Sequence, residues 1–352
     1  MRIAVIGATG NVGTAVLRRL AALPEVDAIV GVARRSPVAR IGQYRDVAWH
    51  EIDVGDEDAR GRLRRALAGS DAVIHLAWAL QPSRDEPSMW RTNVRGTANV
   101  LAAAAEAGVK QIVVASSVGA YSVGPKRRRV PESWPTGGVP TSPYSRHKAI
   151  NERAMDVFEL DHPDIRLARI RPGLVFQRDA GSEIARLFLG PLVPAGVLRR
   201  VRPRVLPLPT GFIVQAVHAD DLADAYWRAV DHQASGAFNI AAEPVLTPPL
   251  IAAAFGAERT RPFRAHVLRI IMELTWRAGL QPTDPGWLDI ATAVPVMSTE
   301  RARRELGWSP AITATAAFAE VVDGMAAGDG AAGSAPLAGR HGNADGVAPT
   351  GF

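Results

Sequence analysis

Short apolar runs of strand length alternate with stretches of helical periodicity through the first half of the chain. Arg2-Ile3-Ala4-Val5-Ile6 is such a run, and Val12 through Leu23 spaces its apolar residues as an amphipathic helix does. Further runs lie near 28–32, 47–52, 72–76, 111–115 and 165–170, with helical sequence between them. The alternation predicts an α/β fold, a doubly wound parallel sheet with helices on both faces. Past Arg171 the pattern breaks into Pro/Gly-rich and apolar stretches. The predicted layout is a sheet domain over 1–176, rejoined by 214–241, and a smaller C-terminal lobe from 177–213 and 242–325 that would hold substrate. From Ala326 to Phe352 large apolar side chains nearly vanish, which predicts a disordered tail.

The turn after the first strand, Gly7-Ala8-Thr9-Gly10-Asn11-Val12-Gly13, changes the picture from fold to function. In a strand–turn–helix unit the first glycine makes the tight turn, the second lets a pyrophosphate approach the backbone, and the third lets helix and strand pack. The helix start then offers free N–H groups to phosphates. Three glycines alone also fit an ordinary turn; at the start of an alternating series they point to a Rossmann-type dinucleotide site.

Tyr144-Ser145-Arg146-His147-Lys148 is the second signal. Only Lys110, Lys126 and Lys148 are lysines among 41 basic residues, and there are 4 tyrosines, so a Tyr-x-x-x-Lys pair is expected roughly 0.03 times by chance. An i, i+4 pair shares one helix face. A cation there favours the phenolate and brings a tyrosine towards useful basicity. Ser116 and Ser117 follow the β-branched run Gln111-Ile112-Val113-Val114-Ala115 and so fall at the carboxyl edge of a strand, where such sheets bind ligands. A serine there is also a common turn residue or cap.

Composition adds mostly exclusions. With 352 residues, 47% of them hydrophobic, the chain can bury a large core. Zero cysteines exclude disulfides and thiolate chemistry and fit a reducing cytosol, so a cytoplasmic location is expected. Met1 leads straight into a strand, which predicts no signal peptide. Leu187 to Leu198 is apolar but short and broken by Pro191 and Pro194, so no transmembrane segment is expected. Net charge is +6, with clusters at Lys126-Arg127-Arg128-Arg129 and Arg199-Arg200-Val201-Arg202. No nucleic-acid signature accompanies them, and solvated faces or attraction for an anionic cofactor account for the charge. Arg264 to Arg277 reads as an amphipathic helix, expected to pack on the substrate lobe, with contact to anionic lipid left open. His75, His147 and His218 lack a second ligand at metal spacing, so no metal is assigned; an aspartate of Asp220-Asp221 is expected to cap the helix after His218.

In these motifs the chain resembles the extended short-chain dehydrogenases/reductases, the NAD-dependent epimerase/dehydratase family, over roughly residues 1 to 325. Asp53-Val54, Val73-Ile74-His75-Leu76-Ala77, Asn93-Val94-Arg95-Gly96-Thr97-Ala98-Asn99, Arg171-Pro172-Gly173, Val217-His218-Ala219-Asp220-Asp221 and Glu305-Leu306-Gly307-Trp308-Ser309-Pro310 carry the resemblance further. It implies Tyr144 as acid/base, Lys148 on the nicotinamide ribose, and Ser117 orienting the substrate oxygen. Ser117 is preferred to Ser116 because the family's hydroxyl lies four residues before the tyrosine that here is Tyr121. It also implies cofactor contacts from Gly7, Thr9, Gly10, Asn11, Val12, Gly13, Asp53, Val54, Leu76, Ala77, Asn93 and Pro172, besides Tyr144 and Lys148. Relatives often form homodimers through the helix carrying the tyrosine.

NAD-selective sites place an acid about 20 residues beyond the glycine turn. Here the second strand ends in Ala33-Arg34-Arg35, and two guanidinium groups suit a 2′-phosphate, unless they are simply a solvated surface pair. NADP(H) is therefore expected, with NAD(H) as the alternative. No arginine stands shortly before Val217-His218, and Pro172-Gly173 occupy a position where sugar-nucleotide enzymes often have asparagine. Both departures favour a small hydrophobic carbonyl or alcohol as substrate. An oxidoreductase is the leading expectation; a sugar-nucleotide epimerase/dehydratase that retains its cofactor and a non-catalytic dinucleotide-sensing protein are the alternatives.

Overall fold

The computed structural model describes residues 1–37, 39–81, 84–188, 204–209 and 211–339. The prolines of the 187–198 stretch, the arginine cluster at 199–202 and the end of the tail lie outside the described residues. Seven parallel strands form the central sheet: β1 Arg2–Ile6, β2 Ala28–Ala33, β3 Val47–Glu51, β4 Ala72–His75, β5 Gln111–Ala115, β6 Arg166–Pro172 and β7 Gly236–Ile240. Their order is β3-β2-β1-β4-β5-β6-β7. The chain switches direction between β1 and β4, and the crevice above that point is where such sheets take ligands.

Both faces are covered, which is why these strands read as continuous apolar runs and not as alternating ones. Helices Asn11–Ala21 and Ala219–Asp231 bury Val16, Leu17, Leu20, Leu222 and Tyr226 on one face. Helices Ala59–Leu67, Gly96–Glu106 and Pro143–Asp161 bury Leu63, Val100, Leu101, Met155 and Phe158 on the other. A smaller three-stranded sheet of Leu174–Phe176, Val214–His218 and Ala242–Leu246 packs against helix Ala314–Ala327.

Three local expectations need correction and a fourth is refined. The helix Ala219–Asp231 is capped by His218, whose Nδ1 accepts from Asp220 N at 3.1 Å; Asp221 instead accepts from Ala311 and Ile312 N, both at 2.9 Å. Helix Ala265–Arg277 packs on the lobe with one side only: Leu268, Met272 and Trp276 are half-buried, Arg269 reaches Asp289 at 3.0 Å, and no residue of the helix is fully buried. The basic run at 126–129 is partly structural: Lys126 Nζ donates to Ile213 O and Ala291 O at 3.0 and 2.8 Å. Residues 328–339 are ordered, with Leu337 fully buried and Ser334 Oγ donating to Thr9 O at 2.6 Å. Small residues leave backbone grooves into which the chain itself packs, so sparse apolar content did not prevent order.

Candidate active site

At the glycine turn, Gly7 has φ +85°, and a Cβ there would lie 2.6 Å from Ala77 N. A Cβ on Gly13 would lie 2.3 Å from Gly7 O. These two glycines are demanded by the fold itself. Gly10 is different, since its nearest neighbour would be Gly7 O at 3.5 Å, and as the cap of helix Asn11–Ala21 it presents no side chain to the free N–H groups. An open glycine at an uncapped helix start is a cradle for a phosphate. The residues present therefore fit a dinucleotide.

Around the turn, Leu76 N donates to Ile6 O at 2.7 Å, setting Leu76 and Ala77 against Gly7. Asn11 is held through its side chain by Val175 O and Gln177, at 3.2 and 2.7 Å. Val12 is partly exposed in the first helical turn. Asp53 accepts from Gly55 N at 2.9 Å, while Val54 is a core residue beneath Gly96. Arg34 and Arg35 are exposed at the end of β2 and have no ion pair among the described residues. Pro172 ends β6 and is buried.

The chemistry collects at the carboxyl edge of β5. Ser117 Oγ accepts from Gly119 N at 3.0 Å and stands beside the Tyr144 phenol. Burial pushes that phenol up to about 12, with Ser117 acting in the opposite direction. Lys148, 3% exposed, donates to Ala115 O at 2.7 Å and stands 3.4 Å from the centre of the Trp78 ring. Burial lowers it to about 7 against the opposing pull of Glu152. The expected lowering of the tyrosine by the lysine is thus absent. Desolvation of both groups outweighs their mutual effect, and the amine is turned towards the Ala115 carbonyl.

Tyr144 is flanked by two indoles, Trp78 at 5.5 Å and Trp287 at 4.8 Å between ring centres. Beside it opens a small cleft of about 10 Å³, room for about one water, lined by Ala79, Leu80, Met89, Asn93, Pro143, Tyr144, His147, Asp284 and Trp287. Asn93 fixes its wall by bonding Ala79 N and O at 2.7 and 2.9 Å. Burial lowers His147 and raises Asp284, so both lean towards neutrality.

Beneath the cleft lies an ionic network on Glu152, which is fully buried. Arg171 grips it twice, Nε to Oε1 at 2.8 Å and Nη2 to Oε2 at 2.7 Å; Ser116 Oγ donates at 2.5 Å and Arg169 Nη1 at 3.1 Å. Ser116 is thereby committed to structure, leaving Ser117 beside Tyr144 next to Gly119. Burial alone would raise the Glu152 carboxyl, but Arg171, then Ser116 and Arg169, hold it at about 2. Sequence reasoning missed Trp78, Trp287, Asp284 and Glu152. Trp78 carried a usable signal, a bulky indole directly after His75-Leu76-Ala77; the others carried none.

The model of the NAD dependent epimerase/dehydratase family matches residues 3–241. The chain is 30% identical over 313 residues to an uncharacterized protein of Mycobacterium tuberculosis, covering 88% of this chain and 28% of that protein. It thus spans little more than a quarter of the length of the curated relatives that match it first. A UDP-glucose 4-epimerase of Streptomyces lividans is 25% identical, with 87% of this chain and 90% of the epimerase covered. Among solved structures, the Thermus thermophilus UDP-glucose 4-epimerase in complex with NAD superposes with a TM-score of 0.68 at 21% identity, over 92% of this chain and 99% of that one.

Proposed function

Since this chain belongs to the NAD dependent epimerase/dehydratase family, we propose that it is an NADP(H)-linked oxidoreductase acting on a small, largely apolar carbonyl or alcohol. One observation carries the reading: Tyr144, with Ser117 beside it, stands at a narrow cleft, and the described residues that line this cleft include an acid, Asp284, and no lysine or arginine. A sugar diphosphate needs cations to hold it. Apolar walls with a few convergent polar groups suit a smaller substrate.

The bound dinucleotide supplies or accepts a hydride at the substrate carbon. Tyr144 donates its phenolic proton to the carbonyl oxygen in reduction, or takes one from the alcohol in oxidation. Ser117 donates a hydrogen bond to that same oxygen and stabilises charge developing there. Lys148 holds the ribose side of the site, and Asn93 keeps the Ala79 wall in place. Gly7, Gly10 and Gly13, with the first amides of the helix, take the pyrophosphate; Arg34 and Arg35 take the 2′-phosphate. A homodimer through helix Pro143–Asp161 is part of the same proposal, supported by its exposed Val157 and Leu160.

The similarity to UDP-glucose 4-epimerases favours a second reading, a sugar-nucleotide epimerase or dehydratase that keeps its cofactor. Steady consumption of free NADPH with small ketones supports the oxidoreductase; conversion of a UDP-sugar without net cofactor consumption replaces it. Tyr144→Phe is expected to lower turnover by at least ~10²-fold with NADPH affinity unchanged. Activity that survives the substitution removes Tyr144 from the mechanism.

A further inference from the structure

Helix Ala265–Arg277 is apolar on two sides. Leu268, Met272 and Trp276 are half-buried, whereas Val267, Ile270, Ile271 and Leu274 face outward, with Ile270 55% and Leu274 61% exposed; Leu280, just beyond the helix, is 52% exposed. The spacing 267, 270/271, 274 is i, i+3/i+4, i+7, so these side chains form one stripe and not scattered singles. A contiguous stripe of large aliphatic residues on a folded surface marks a contact surface.

The rim decides what covers it. Arg259, Arg261, Arg264 and His266 are exposed on the N-terminal side and Arg277 on the other. Arg259, Arg261 and Arg264 have no carboxylate partner among the described residues, and the helix's own acid, Glu273, is engaged by Arg277 at 2.7 Å and Arg269 at 3.9 Å. Glu258 is the exposed acid nearby in sequence. A second copy meeting this face about a two-fold axis would bring two basic rims together, which is unfavourable. An anionic headgroup layer satisfies the arginines while the aliphatic stripe enters the acyl boundary. No described helix is long and apolar enough to cross a membrane, so the contact is with its surface.

We propose that helix Ala265–Arg277 docks the protein on an anionic lipid surface through Val267, Ile270, Ile271, Leu274 and Leu280, with Arg261 and Arg264 on phospholipid headgroups. The segment that follows supplies Asp284 and Trp287 to the cleft, so docking sets that wall of the cleft beside the lipid. The proposal stands apart from the chemistry of Tyr144, because it is read out by binding alone.

The test is co-sedimentation of the full chain with vesicles of phosphatidylcholine, alone or containing phosphatidylglycerol, at low and high salt. Binding is expected only to the anionic vesicles and should weaken with salt. Ile271→Glu/Leu274→Glu should reduce it at least ~10-fold, and Arg261→Glu/Arg264→Glu comparably, both with unchanged melting temperature. Absence of vesicle binding overturns the proposal, as does binding that the Ile271→Glu/Leu274→Glu variant retains. Self-association in solution abolished by that variant, without vesicle binding, assigns the face to a second copy instead.

Discussion

Replacing Arg171 by Met removes the main partner of a carboxylate with no access to water. Glu152 is fully buried, yet its carboxyl is held at about 2 against an ordinary 4.5. A depression of that size corresponds to about 3 kcal/mol in favour of the charged form at neutral pH. Breaking one side of a buried pair costs ~3–5 kcal/mol. Because Ser116 and Arg169 still reach Glu152, the lower end, about 3 kcal/mol, is expected. The pH dependence has a definite sign. A carboxyl depressed in the folded state contributes fully above 4.5, and that contribution is lost as pH falls towards 2. In Arg171→Met the folded value moves back up, so the gap between the two proteins narrows on acidification. Urea unfolding at pH 7 and pH 3, with Glu152→Met and the double variant, measures this. The double variant should be less damaged than the sum of the singles, since it leaves no orphaned carboxylate. A loss below about 1 kcal/mol at pH 7, or a gap equal at both pH values, refutes the assignment of the Glu152 depression to Arg171.

Calorimetric titration of Arg34→Ala/Arg35→Ala should show NADPH binding weakened ~10–100-fold, with NADH nearly unaffected; equal losses for both place the arginines elsewhere. Gly13→Ala, whose Cβ would stand 2.3 Å from Gly7 O, is expected to lower stability by more than ~2 kcal/mol. Gly10→Ala, with its nearest atom at 3.5 Å, should keep its melting temperature and lose dinucleotide affinity. Buried Lys148 releases its proton near 7, against 10.5 when unfolded, so the unfolded chain binds more protons between those values and stability rises with pH across them. Lys148→Met should flatten that rise in melting scans; an unchanged slope assigns it to other groups.

The strands of the central sheet were legible because burial on both faces forces apolar, β-branched runs such as Ile112-Val113-Val114. The glycine turn was legible because steric exclusion at Gly7 and Gly13 leaves no other residue. What stayed hidden depends on contacts distant in sequence. The sequence reads 214–241 as one return to the sheet domain, although Val214–His218 belongs to the smaller sheet and only β7 joins the central one. His218 caps its helix as the residue just before it, while Asp221, inside the first turn, is taken by the Ala311 and Ile312 amides, some 90 residues on. The order of residues 328–339 depends on Ser334 reaching the carbonyl of Thr9, 325 residues earlier. Glu152 reads as an ordinary helix-surface acid until the fold brings Arg169 and Arg171 to it.

The pairing of Tyr144 with Lys148 shows how far local spacing carries a chemical argument. One helical turn puts both side chains on one face, and Coulomb attraction alone would drive the phenol towards its anion. Burial acts on each charged form separately, and here it acts more strongly: the phenol is raised to about 12 and the amine lowered to about 7. The indole of Trp78 lies against the amine on one side and the phenol ring on the other, adding to the exclusion of water. A tyrosine in that state keeps its proton at neutral pH. Within the proposed reaction it is ready to act as an acid, and reduction of a carbonyl needs an acid at the oxygen. Oxidation needs the phenolate, which this environment withholds until the pH is high or a bound cofactor draws the Lys148 charge closer. Within the proposed reaction, burial of these two residues therefore sets the pH range in which each direction runs, a property absent from their spacing.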